Sequence, residues 1–165
     1  VNIYADEATS ARLHQSFGYC FKTPAGSSYP PILQEHRIAA GVDVAIHGPG
    51  GAITALPYRQ IHGDIHSLGF RFGQFAYSSD VSALDEQAYD TLRGVDVWVV
   101  DALRYTPHPS HFCVDESLQA AKRVGARRTI LTHMHIDLDF NSLNNDLPEF
   151  VEPAWDGLKI ELPAE

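Results

Sequence analysis

A chain of 165 residues, 44% apolar and 20% charged, has the length of one ordinary domain and enough apolar content to bury a core. Its 12 Lys+Arg against 21 Asp+Glu leave a net charge of −9, a surface that repels phosphate backbones and makes nucleic acid an unexpected partner. No run approaches the roughly 18 apolar residues of a membrane-spanning helix, and no basic stretch followed by an apolar run opens the chain, so neither membrane anchor nor secretory leader is expected.

In chain order, Val1–Tyr4 reads as a short strand, and Asp6-Glu-Ala-Thr9 as a helix cap and first turn. Leu13, Phe17 and Phe21 share one helical face if the helix survives Gly18, and Phe17-Gly-Tyr-Cys-Phe21 is expected in the core or at a pocket mouth. Thr23–Pro31, rich in Pro, Gly and Ser, is loop. Gly41–Ile46, Ala52–Tyr58 and Gly69–Tyr77 are predicted strands of an antiparallel meander, with Gly48-Pro-Gly-Gly51 as a turn. Asp85–Leu92 is a short helix, and Val95–Val100 a buried strand. Val114–Val124 is an amphipathic helix with Leu118, Ala121 and Val124 inward. Arg128–Thr132 and Gly157–Leu162 complete the predicted strands. A meander followed by βαβ units makes a layered α/β sandwich, and nothing in the sequence divides residues 1–165 into more than one domain.

The two cysteines, Cys20 and Cys113, form no CxxC pair and no disulfide framework, which fits a reducing cytoplasm. Both sit beside aromatic residues and read as small buried groups. Histidine is the unusual residue: nine are present, and six fall in the close pairs His62/His66, His108/His111 and His133/His135. His14, His36 and His47 read as surface or hydrogen-bonded residues.

Three polar sites lie where an apolar strand runs out: Arg59-Gln-Ile-His62-Gly63 with His66, Phe75-Ala-Tyr-Ser-Ser-Asp80, and Ile130-Leu-Thr-His133-Met-His135. Side chains at strand ends converge on a sheet's rim, where ligands collect. Imidazole with carboxylate is a donor set for Zn, Mn or Fe. Singly, each of these residues also reads as a rim hydrogen-bonder or a turn cap. A fourth cluster, Asp101-Ala-Leu-Arg104-Tyr-Thr-Pro-His108-Pro-Ser-His111, places two histidines on a Pro-bracketed loop. An imidazole held there suits a general acid. The bland alternative is a fixed turn with exposed rings.

The order of these motifs, namely His62-Gly63 before Gly69-Phe-Arg, Tyr77-Ser-Ser-Asp80, Asp101-Ala-Leu-Arg104 with His111, and Leu131-Thr-His133, resembles that of metallo-β-lactamase-fold hydrolases. The phosphodiesterase branch is the nearest, similar to phosphoribosyl cyclic phosphodiesterase and more distantly to tRNA 3′-processing enzymes. The resemblance implies an α/β, αββα sandwich. It implies that His62, Asp80 and His133 hold metal, with Asp80 bridging, and that His111 protonates the leaving group. His66, Asp101, Arg104, His108, His135, Asp137 and Asp139 are then expected in orienting or substrate-contact roles. Arg104 and Arg71 are the candidate phosphate clamp.

One departure is large: the family's His-x-His-x-Asp-His motif occurs nowhere in these 165 residues. The chain therefore reads as the incomplete, C-terminal portion of such a fold. Two divalent ions, Zn or Mn, are expected in the full-length protein and one or none here, with this stretch inactive alone and prone to self-association through an uncovered apolar face. The implied substrate is a small or cyclic, nucleotide-like phosphodiester. The alternatives are a thioester or lactone hydrolase, an RNA-processing nuclease, or a non-catalytic metal-binding module.

Overall fold

In the computed structural model, which describes residues 1–162, the elements in chain order are β1 (Asn2–Ala5), α1 (Glu7–Phe17), β2 (Gln34–Arg37), β3 (Val44–Gly48), β4 (Gly51–His62), β5 (Ile65–Phe72), β6 (Phe75–Ser78), α2 (Glu86–Leu92), β7 (Val97–Asp101), α3 (Val114–Val124), β8 (Arg128–Thr132), α4 (Phe140–Asp146) and β9 (Val151–Pro153). Strands β3 to β9 form one sheet in sequence order, antiparallel from β3 to β6 and parallel from β6 to β9. The expected meander and βαβ units are both present. The second sheet is small: β1 and β2 pair in parallel.

The apolar run of β7 sets the middle of the large sheet. All five of its residues are buried, as a parallel strand covered on both faces requires. Trp98 and Val100 face α2 and α3, whose inward residues Ala88, Leu92, Val114, Ala121 and Val124 complete the main core. Val97 and Val99 face the other way, onto Ile130, Phe75, Leu158 and Ile160. Helix α3 ends at Gly125, whose φ of 71° is the left-handed conformation that a Cβ disfavours.

Several sequence expectations are corrected. Gly157–Leu162 forms no strand: Leu158 and Ile160 lie on the second face of β7 without joining the ladder, so their alternation reflects packing. The last strand is β9. Gly69–Tyr77 is two strands, because Gly73, at φ 54°, turns the chain between β5 and β6. β2 and α4, too polar to show a period, are additional. α1 survives to Phe17, and Gly18–Cys20 follow as a 3-10 turn. Its predicted apolar face is not enclosed: Phe17 and Tyr19 are exposed, Phe21 lies against His14 with the rings tilted by 31°, and Cys20 is only half-buried. An open groove of ≈ 1170 Å³ runs between α1 and the β4–β5 ribbon, lined by Ala8, Leu13, Ile38, Ile65 and Leu68.

Candidate active site

Strand direction brings the predicted residues together. β4, β6, β7 and β8 all run the same way, so their C-terminal ends deliver His62, Asp80, Asp101 and His133 to one edge of the sheet. Asp80 and His133 take left-handed φ values of 56° and 60°, the only non-glycine residues among those described to do so. A strained backbone of this kind costs of order 1–3 kcal/mol each and persists where neighbours enforce it.

For Asp80 those neighbours are visible. Gln60, fully buried and on the same face of β4 as His62, donates Nε2 to Ser79 O and to Ser67 Oγ, both at 3.0 Å. Ser67 Oγ in turn donates to Asp80 O at 2.7 Å. Neither residue was singled out from the sequence. The available signal was a Gln and a Ser at inward positions of paired strands, where apolar residues are the rule. Gly69 leaves room for this arrangement, since a Cβ there would lie 2.3 Å from the Tyr58 ring and 2.5 Å from Gln60 Oε1.

The loop after β7 supplies the rest. Asp101 is 0% exposed, and its Oδ2 accepts from the Val81 N–H at 3.1 Å and pairs with His111 Nδ1 at 2.6 Å. Its Oδ1 is buried without a partner. Burial pushes the Asp101 carboxyl pKa up, partly offset by its bond to His111. His62 donates Nδ1–H to Ser110 O at 2.6 Å, which leaves the Nε2 lone pair available. The His62 and His133 rings each lie 4.7 Å from that of His111. Asp80 Oδ1 is 3.8 Å from His133 Nε2 and 4.0 Å from His111 Nδ1. Ligand atoms of His62, Asp80 and His111 all fall within 4.8 Å of one another. Imidazole nitrogen and carboxylate oxygen at these separations fit a divalent ion such as Zn or Mn.

Other predicted residues are placed differently. His108 is in the cluster, 5.2 Å from His111, and desolvation followed by the charges of Arg104 and His111 lowers its pKa. Arg104 donates to Thr106 O and Pro107 O, so its guanidinium staples the loop it was expected to extend from. Arg71 lies at the far end of β5, donating to Gly73 O, Thr91 O and Arg93 O, and is no phosphate clamp. His66 pairs with Ile61, one residue out of phase with His62, and lines the groove beside α1. His135 and Asp137 pair with each other at 3.2 Å in an exposed loop. Asp139 caps α4 by accepting from Ser142 N and Oγ, the cause of its lowered pKa.

With this geometry in hand, residues 1–134 match the family described as the beta-lactamase superfamily domain. The chain belongs to that family. A solved structure described as a new diphosphatase from the PhnP family is 32% identical, with a TM-score of 0.85, covering 99% of this chain and 59% of that one. Zn(2+)-bound PqqB from Methylobacterium extorquens is 15% identical at TM-score 0.61, covering 98% and 64%. The short form of human tRNase Z is 14% identical at TM-score 0.59, covering 99% and 68%. The last two share the metallo-β-lactamase fold. A curated Porphyromonas gingivalis protein named octanoyltransferase is 23% identical over 162 residues, 95% of this chain but 31% of that protein. The chain thus spans about a third of that relative and about three-fifths of the diphosphatase. Among the described residues, no helix is long and apolar enough to cross a membrane.

Proposed function

We propose that the protein carrying this chain is a metal-dependent hydrolase of small or cyclic phosphodiesters. The observation that carries the reading is the Asp101–His111 pair set beside Asp80, a buried carboxylate behind an imidazole at the rim of the site. A phosphodiester that expels an alkoxide needs a proton delivered to the departing oxygen, and a histidine so held is suited to give it. The similarity to a PhnP-family diphosphatase supports phosphorus as the reacting centre.

His62, Asp80 and His133 are the residues that would hold the ion, with Asp80 between the imidazoles. When bound, a divalent ion supplies Lewis acidity at the phosphoryl group and lowers the pKa of water. The chain's own residues do the remaining work. Ser110 O fixes the His62 tautomer, and the Gln60–Ser67 pair holds the backbone of Asp80. Asp101 takes His111 by Nδ1, fixes the orientation of its ring and leaves Nε2 to release a proton to the leaving oxygen. A second reading follows from the grouping of His111 with His62 and Asp80, which makes His111 a ligand and frees His133.

The test is hydrolysis of bis-p-nitrophenyl phosphate by the full-length gene product before and after chelation, with metal content determined by elemental analysis. The expected result is metal-dependent turnover abolished by Asp80→Ala and by His133→Ala, and none from the 165-residue chain alone. Turnover that survives both substitutions would contradict the reading.

A further inference from the structure

A phosphodiester site needs a donor for the non-bridging oxygens, and the arginines do not provide one. Arg104 is committed to two carbonyls of its own loop, and Arg71 to three at the opposite edge of the sheet. The same loop does present His108. Pro107 and Pro109 restrict the backbone on either side of it, and its ring lies 5.2 Å from that of His111. Its Nδ1 accepts the backbone N–H of Ser110 at 3.3 Å. A backbone N–H only donates, so Nδ1 bears no proton, and the neutral ring carries its hydrogen on Nε2. His111 is held the other way round, with Nδ1 against the Asp101 carboxylate. Two imidazoles in one loop are thus fixed in opposite states: His111 to release a proton, His108 to present a permanent N–H.

We propose that His108 is a substrate-binding residue whose Nε2–H donates to a non-bridging phosphoryl oxygen while His111 protonates the leaving group. The assignment rests on the phosphodiester reading above. No proton leaves His108 in this role; its contribution is a fixed dipole aimed at charge on phosphorus-bound oxygen.

Two arms separate the assignment from the reading beneath it. In the full-length gene product, kept free of substrate, two-bond 1H–15N spectra report histidine tautomers without any turnover. His108 is expected with the proton on Nε2, and an Nδ1–H tautomer overturns the proposal. In the metal-loaded full-length gene product, His108→Ala is expected to lower kcat/KM for bis-p-nitrophenyl phosphate about 100-fold. His108→Gln, which retains an N–H donor, should recover part of that loss. Non-bridging sulfur accepts hydrogen bonds poorly, so the ratio of oxo to thio rates should fall toward one in His108→Ala. No loss, or equal loss on both substrates, overturns the proposal. A wild-type protein with the expected tautomer but no phosphodiester turnover sinks the substrate reading instead, and the phosphoryl contact with it.

Discussion

Strand β7 buries all five of its residues, whereas β2 buries none and α1 buries Ser10 alone. The two regions differ in what encloses them. β7 has a strand on each side and side chains packed on both faces. The lobe of β1, α1 and β2 is joined by polar links such as Arg37 to Ser10 and His14 to Glu35, and its apolar residues edge an open groove. Every residue of the proposed site is carried by the enclosed region. A site that must hold imidazoles and a carboxylate in fixed tautomers gains its rigidity there, and the lobe has no part in it.

Substitutions can break this contrast, beginning with the core. Trp98→Ala should cost about 3–5 kcal/mol in chemical denaturation, since the ring is fully buried and packed by α2 and α3. Gly69→Ala should cost about 1–3 kcal/mol, because its Cβ would meet Tyr58 and Gln60 well inside contact distance. Phe17→Ala, in the lobe, should move stability by no more than about 0.5 kcal/mol. Equal losses at Trp98 and Phe17 would erase the distinction.

Within the enclosed region the predictions concern the site itself. Asp101→Asn should reduce turnover of a diester that expels an alkoxide about 100-fold, in the range of a general acid that has lost its orienting partner, with little change on a p-nitrophenyl ester. It should also change the pH dependence of stability. The folded-state pKa of Asp101 is raised, so the native protein keeps that proton to higher pH than the unfolded chain. Wild-type stability therefore falls as pH rises from the ordinary carboxylate range through the raised pKa, and Asp101→Asn should lack that fall. Ser67→Ala comes next in size. It should weaken metal affinity about 10- to 100-fold with little change in Tm, as loss of support behind a ligand does. On an Asp80→Ala background the same change should have no further effect.

How much of this was legible in the sequence follows the same division. β7, β8 and α3 were readable because burial writes a continuous apolar run or a 3.6-residue period. The C-terminal ends of β6, β7 and β8 then located Asp80, Asp101 and His133. Leu13, Phe17 and Phe21 obeyed a period with no partner to enclose it, so the pattern overstated the core. Leu158 and Ile160 alternated for a reason other than ladder pairing. Inside the site, residue type gave the candidates but not their use. Arg104 was a clamp by charge and is a loop staple by geometry, and Asp139 was a carboxylate by chemistry and is a helix cap by position. The support from Gln60 and Ser67 depends on strand register, which no local pattern specifies.

The central claim is that His111 delivers a proton and is not a ligand. It is tested most directly by leaving-group dependence. Two diesters with the same phosphoryl group, one expelling p-nitrophenolate and the other an alkoxide, would be compared in the full-length gene product and in His111→Ala. The account predicts a loss of about 10²- to 10⁴-fold on the alkoxide ester and little on the p-nitrophenyl ester, which departs without protonation. An equal loss on both, accompanied by lower metal content, would place His111 on the ion and contradict the account.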